Sequence, residues 1–203
     1  KVSQAISGEI EFDQLLKKLI FLVSENAGAE HCLLVRPVAG ENKILAHYRN
    51  GELSLDARTA ETLETGGSLF HLARNTLSTI VVDDVEKDER TRHETHPPHR
   101  RSLLIHPVLQ KKELMAYLIL ENSSPGVFTA DRVQTLTILS TQIATSLENA
   151  ELYANLKEAL AQSQALHLAS SRFVPNEFLH LLGKKNLTDV SLGDNIQREM
   201  AVF

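Results

Sequence analysis

Forty consecutive residues, Phe128 to His167, contain neither proline nor glycine, and no other stretch constrains the fold so sharply. Thr129 followed by Asp131 offers a capped start, and the strong helix formers Ala, Leu, Glu, Gln and Lys fill most of the remaining positions. At 1.5 Å rise per residue such a helix spans roughly 60 Å, about twice the width of a small domain. One globule cannot enclose it. Its first half carries Val133, Leu136, Leu139, Ile143 and Leu147, apolar enough to cover a core. Beyond them the apolar positions thin to Leu152, Leu156, Ala159, Ser163, Leu166, Ser170 and Phe173, alternately four and three apart. That spacing is a coiled-coil seam weakened by two serines. The element reads as a shaft over residues 129–167 that starts on a domain and leaves it.

The rest of the chain supplies the domain. Phe12, Leu15, Leu16, Leu19, Ile20, Val23 and Ala27 recur at helical spacing, and Gly28 ends the run. His31 to Val38 and Lys43 to Tyr48 read as strands joined by the turn Ala39-Gly40-Glu41-Asn42. Leu53 to Thr65 is polar and ambiguous. Ser68 to Asn75 forms a short helix, Ser78 to Val82 a β-branched strand, and Arg101 to Gln110 with Glu113 to Glu121 two strands joined at Lys111-Lys112. Helices mixed with antiparallel hairpins, without regular βαβ alternation, predict an α+β domain with one sheet. A net charge of −5 gives no electrostatic basis for binding nucleic acid. With no run of eighteen apolar residues and no signal peptide, the expectation is a cytoplasmic fragment without membrane contact. Cys32, the only cysteine, lies in the apolar run Cys32-Leu33-Leu34-Val35 and reads as a buried strand position.

Several motifs are familiar. Ala5-Ile6-Ser7-Gly8-Glu9-Ile10, Glu25-Asn26-Ala27-Gly28-Ala29, the run Leu118 to Arg132, Gln142-Ile143-Ala144 and Glu148-Asn149-Ala150-Glu151-Leu152-Tyr153 together resemble the GAF domains of bacterial multi-sensor kinases and cyclases. The resemblance covers residues 1–150. It implies a central antiparallel sheet, dimer-forming helices on one side and a small-molecule pocket on the other. A second resemblance covers the tail. Phe173-Val174-Pro175-Asn176-Glu177-Phe178-Leu179, Leu182-Gly183-Lys184, Asp189-Val190-Ser191-Leu192-Gly193-Asp194 and Arg198-Glu199-Met200-Ala201-Val202-Phe203 are similar to the entrance of a class III adenylate or guanylate cyclase domain. On this reading residues 151–172 are a signalling helix and 173–203 the start of a cyclase domain whose catalytic residues lie downstream. These 203 residues then carry no cyclase activity, and the parent enzyme, an adenylate cyclase in the first place, needs Mg or Mn. A cyclase of this class completes its active sites between two chains. The resemblance therefore implies a parallel homodimer through the first helix and the 129–167 helix.

Other constellations carry less. His93, His96, His99 and His106 surround Pro97-Pro98, which cannot place them on one helical face, so a solvated loop without metal is expected. Asp83, Asp84, Asp88 and Glu89 read as solvated turns. Gly183-Lys184-Lys185 lacks the earlier glycine of a phosphate loop and reads as a helix C-cap. Among GAF ligands a bilin would need a cysteine in the pocket roof, and Cys32 is a first-strand residue. The NKFDE pattern of cyclic-nucleotide-binding phosphodiesterases is not reproduced around Phe128 and Asp131-Arg132.

Charge suggests the ligand. From Arg90 to Arg101 there are four arginines, three histidines and one acid, Glu94, directly after an acidic run. Arginine offers planar donors that match phosphate oxygens. The expectation is a small anion, cAMP or cGMP, between the sheet and residues 68–101, with His71, Thr79, Arg100, Arg101 and His106 as candidate contacts and no cofactor required. Strand alternation puts His106 on one face with Leu104 and Val108, opposite Leu103 and Ile105. The alternative is a ligand-free GAF domain that dimerises and spaces the catalytic domains.

Overall fold

Strand alternation sorts the apolar residues onto the two faces of one sheet, and helices cover both. The computed structural model describes residues 2–38, 41–55, 68–91, 93–97, 99–173, 179–180, 182–184, 189 and 191. In order they form α1 (Val2–Ala27), β1 (His31–Val38), β2 (Glu41–Arg49), β3 (Glu52–Ser54), α2 (Ser68–Thr76), β4 (Ile80–Val82), β5 (Ser102–Gln110), β6 (Glu113–Asn122) and α3 (Ala130–Phe173). The strands make one sheet in the order β3-β2-β1-β6-β5-β4, antiparallel at every pairing. This is the expected α+β class. Strands β1, β5 and β6 are buried along most of their length because both faces are covered, so they read as continuous apolar runs.

One face packs Cys32, Leu34, Leu104, Leu118 and Leu120 against Leu16, Ile20 and Val23 of α1 and Leu136, Ile143 and Leu147 of α3. The other packs Leu33, Val35, Leu103, Ile105, Tyr117 and Ile119 against Leu69, Phe70 and Ala73 of α2. Cys32 is fully buried, and burial pushes its thiol up to about 12, so it is unreactive. Arg132 fastens α3 to the end of α1: its Nη1 donates to the carbonyls of Ala27 at 3.2 Å and Val127 at 3.0 Å. The Arg132 head lies so close to Gly28 that a Cβ there would stand 2.4 Å from Nη1, and Gly28 has φ +69°. Glycine ends α1 at Gly28, as read from the sequence, for both reasons.

The local differences have identifiable causes. Strand β3 pairs with β2 across Asn50-Gly51, whose φ values of 47° and 94° suit the tight turn of a two-residue hairpin. The Asn-Gly dipeptide is the signal for it, masked by the polarity of the segment after it. Glu41 and Asn42 belong to β2 rather than to a turn, and Ala39-Gly40 fall outside the described residues. The chain divides into two units, Lys1–Glu151 and Leu152–Phe203, and α3 contributes to both. In the second, Gly183 has φ +69° and the Lys184 amide donates to the Leu179 carbonyl at 2.9 Å, the C-cap role expected of it. Among the described residues no helix is long and apolar enough to cross a membrane.

Candidate functional site

The five expected contact residues fall in three separate places. His71 is exposed on α2. Thr79 and His106 lie on the opposite side of the sheet, the side of α1 and α3, where His106 Nε2 meets Ser140 Oγ of α3 at 2.9 Å and Nδ1 meets Thr79 Oγ1 at 2.8 Å. The network favours one tautomer. Ser140 Oγ lies 2.9 Å from the Thr137 carbonyl as well, and both contacts are hydrogen bonds when it donates there and accepts from His106 Nε2–H. Nδ1 is then proton-free and accepts from Thr79. Burial pushes His106 down to about 4, so the neutral ring is the resident form. Thr79 directly follows α2 and the Leu77-Ser78 connection, so three side chains link the end of α2, strand β5 and α3.

Arg100 and Arg101 sit at the end of the sheet. The Arg101 amide donates to the Asn122 carbonyl at 2.8 Å, and its guanidinium grips Asp84 through Nη2–Oδ2 at 2.9 Å and Nε–Oδ1 at 3.3 Å. That pairing holds the Asp84 carboxyl below its ordinary value. Arg90 grips Asp88 in the same way and holds it down to about 2. Charges segregated along the sequence are therefore paired in space. Asp84, expected in a solvated turn, is buried. Arg92 lies outside the described residues.

Arg100 Nε donates to Glu121 Oε1 at 2.7 Å, and Glu121 Oε2 lies 3.2 Å from His99 Nε2. Glu121 is the direct cross-strand partner of His31, and the His31 and His99 rings stack with centroids 4.3 Å apart. Burial first, and then His99 beside it, lower the His31 pKa. The four-histidine loop does not converge on itself: His93 is exposed, His96 bonds the Thr91 carbonyl, His106 is in the core, and His99 joins His31 and Glu121. His31, Glu121 and Ser140 escaped the sequence reading because each sits within an otherwise ordinary strand or helix. Strand register reveals the first two, and the packing of α3 the third.

Between the sheet and α2 the described side chains are apolar and closely packed. Phe70 meets Tyr117 edge-on at 4.9 Å, and the buried Tyr117 Oη has no hydrogen-bond partner among the described residues.

Comparison with known proteins agrees with this architecture. Residues 11–147 match the family described as GAF domain. The hybrid signal transduction histidine kinase G of Dictyostelium discoideum is 25% identical over 119 residues, 54% of this chain and 4% of its own. The peroxide stress-activated histidine kinase mak3 of Schizosaccharomyces pombe is 27% identical over 184 residues, 81% of this chain and 8% of its own. This chain thus spans less than a tenth of either relative. The crystal structure of the GAF domain from an Acinetobacter phosphoenolpyruvate-protein phosphotransferase has a TM-score of 0.55 at 16% identity, covering 74% of this chain and 94% of that one.

Proposed function

Because the chain belongs to the GAF domain family, a family of regulatory sensing modules, we propose that it is the input domain of a larger signalling protein. A ligand on the α2 side of the sheet alters α3 through Thr79, His106 and Ser140. The observation that carries this reading is that hydrogen-bonded chain, which joins the segment leaving α2 to the long helix. Glu148, held by Gln110 at 2.6 Å and Lys111 at 3.1 Å, and Glu151, held by Arg36 at 2.6 Å, fasten the same helix to the sheet. A shift of β5 is therefore felt by α3.

The output is a nucleotide cyclase, adenylate in the first place. Its support is the tail from Phe173 to Phe203, all of which lies beyond the residues matching the GAF family. The histidine-kinase relatives favour a kinase as the second reading. In the full-length protein, formation of cAMP or cGMP supports the first, and phosphorylation of a histidine without cyclase activity overturns it.

The module works as a homodimer. Leu15 and Phe21 of α1 and Ile138 of α3 leave large apolar side chains exposed, and in the second unit Leu152, Leu156 and Leu166 are themselves exposed at coiled-coil spacing. Light scattering is expected to give a dimer that Phe21→Glu with Ile138→Glu converts to monomer. A monomeric wild-type chain at micromolar concentration removes the dimer.

The ligand is an anion, in our reading cAMP or cGMP, whose phosphate exchanges for a carboxylate on Arg90 or Arg101. Calorimetric titration tests it: heat with either nucleotide, weakened by Arg101→Gln, supports the assignment. No heat with either favours the dimerising spacer, a reading supported by the paired arginines and the packed apolar side chains under α2.

A further inference from the structure

His31 opens β1 and Glu121 nearly closes β6. They are direct antiparallel partners, so both side chains leave the same face of the sheet, the face of Leu33 and Ile119. His99 reaches them from the loop before β5. Its backbone lies in a turn closed by the Arg100 amide donating to the Pro97 carbonyl at 2.9 Å, and the chain just after it is tied to β6 by the Arg101 amide donating to the Asn122 carbonyl at 2.8 Å. One ligand atom from each of the three residues lies within 4.8 Å of the other two. The geometry points to a divalent-cation site formed by His31, His99 and Glu121, with Zn2+ as the cation its donor set suits.

Two imidazole nitrogens and one carboxylate oxygen are a recurrent zinc ligand set that leaves a fourth position for water or an incoming donor. Around a tetrahedral zinc with bonds near 2.0 Å, ligand atoms stand roughly 3.3 Å apart. The pair His99 Nε2 and Glu121 Oε2 is already at 3.2 Å. Arg100 takes the other carboxylate oxygen and so turns Oε2 towards the histidines, the orienting contact that a metal-bound carboxylate uses. Its positive charge opposes a cation, so the affinity is lower than for the three ligands alone. The stacked rings, tilted by 21°, do not yet aim their lone pairs at one point. His99, whose side chain is 37% exposed, is the ring free to turn, and binding exchanges its contact with Glu121 for one shared through the metal.

Competition of the purified, untagged chain against a chromophoric chelator tests the site with Zn2+, and Co2+ absorption reads its geometry. One zinc per chain is expected, with a visible Co2+ spectrum of low-symmetry coordination. His99→Ala and Glu121→Gln should each weaken zinc at least ~10-fold to 100-fold and abolish that spectrum, while His93→Ala leaves both unchanged. His99→Ala changes only a partly exposed loop side chain, and its melting in chelator establishes that it folds. Absence of zinc binding overturns the site. Unchanged affinity in His99→Ala and Glu121→Gln also overturns it, since the cation is then held elsewhere among the chain's nine histidines. Nucleotide titrations in chelator keep this outcome separate from that of the proposed nucleotide ligand.

Discussion

Replacing Arg100 by alanine is expected to destabilise the domain by about 3–5 kcal/mol, the loss typical of breaking one side of a buried ion pair. The Glu121 side chain is 5% exposed and the Arg100 side chain 15%, with Nε and Oε1 2.7 Å apart. Without the guanidinium, the carboxylate stays buried beside the His99 ring, whose Nε2 lies 3.2 Å from Oε2. Against a total stability of roughly 5–15 kcal/mol for a domain, the effect should appear as a large drop in the urea midpoint. Adding Glu121→Gln to Arg100→Ala should recover much of the loss, because the uncompensated charge is then gone. A change below about 1 kcal/mol for Arg100→Ala would mean that the pair is solvated. Lost nucleotide binding in Arg100→Ala would therefore report the fold, whereas Arg101, with a more exposed side chain, is the residue to vary in ligand work.

Acid should weaken the fold well before its carboxylates titrate. His106 ordinarily titrates near 6.5, and burial in the core holds it at about 4. Between these values the unfolded chain takes up a proton that the folded chain refuses, so stability is complete above about 6.5 and falls as the pH drops towards 4. The full difference corresponds to about 3 kcal/mol. His31, also lowered by burial, contributes with the same sign. Asp88, held at about 2, loses its contribution only at lower pH. The His106 share is therefore the difference between wild type and His106→Gln in urea melts at pH 7 and 4.5. The variant is expected to be flatter across this window, and parallel curves would remove His106 as the source. In the folded chain Nδ1 takes its proton only near pH 4, where the Thr79 hydroxyl must turn from donor to acceptor.

The residues behind these two expectations differed in how readable they were. Helix α3 and strands β1, β5 and β6 could be located from the chain alone because helical spacing, absent Pro and Gly, and continuous apolar runs are local properties. Even the face carrying His106 followed from alternation beside Leu104 and Val108. Which helix that face meets did not, since either side of a doubly covered sheet is apolar. The packing of α3 decided it, placing Ser140 against the ring and leaving His71 on the other side. The charges show the same division. Asp83 to Arg101 reads as an acidic run followed by a basic one, yet the loop folds back so that Arg101 meets Asp84, while Arg90 pairs locally with Asp88. The cluster of His31, His99 and Glu121 depends on strand register and on one loop closing over the sheet end. Periodicity is written residue by residue, but partners distant in sequence are chosen by the packing free energy of whole elements, which no single stretch contains.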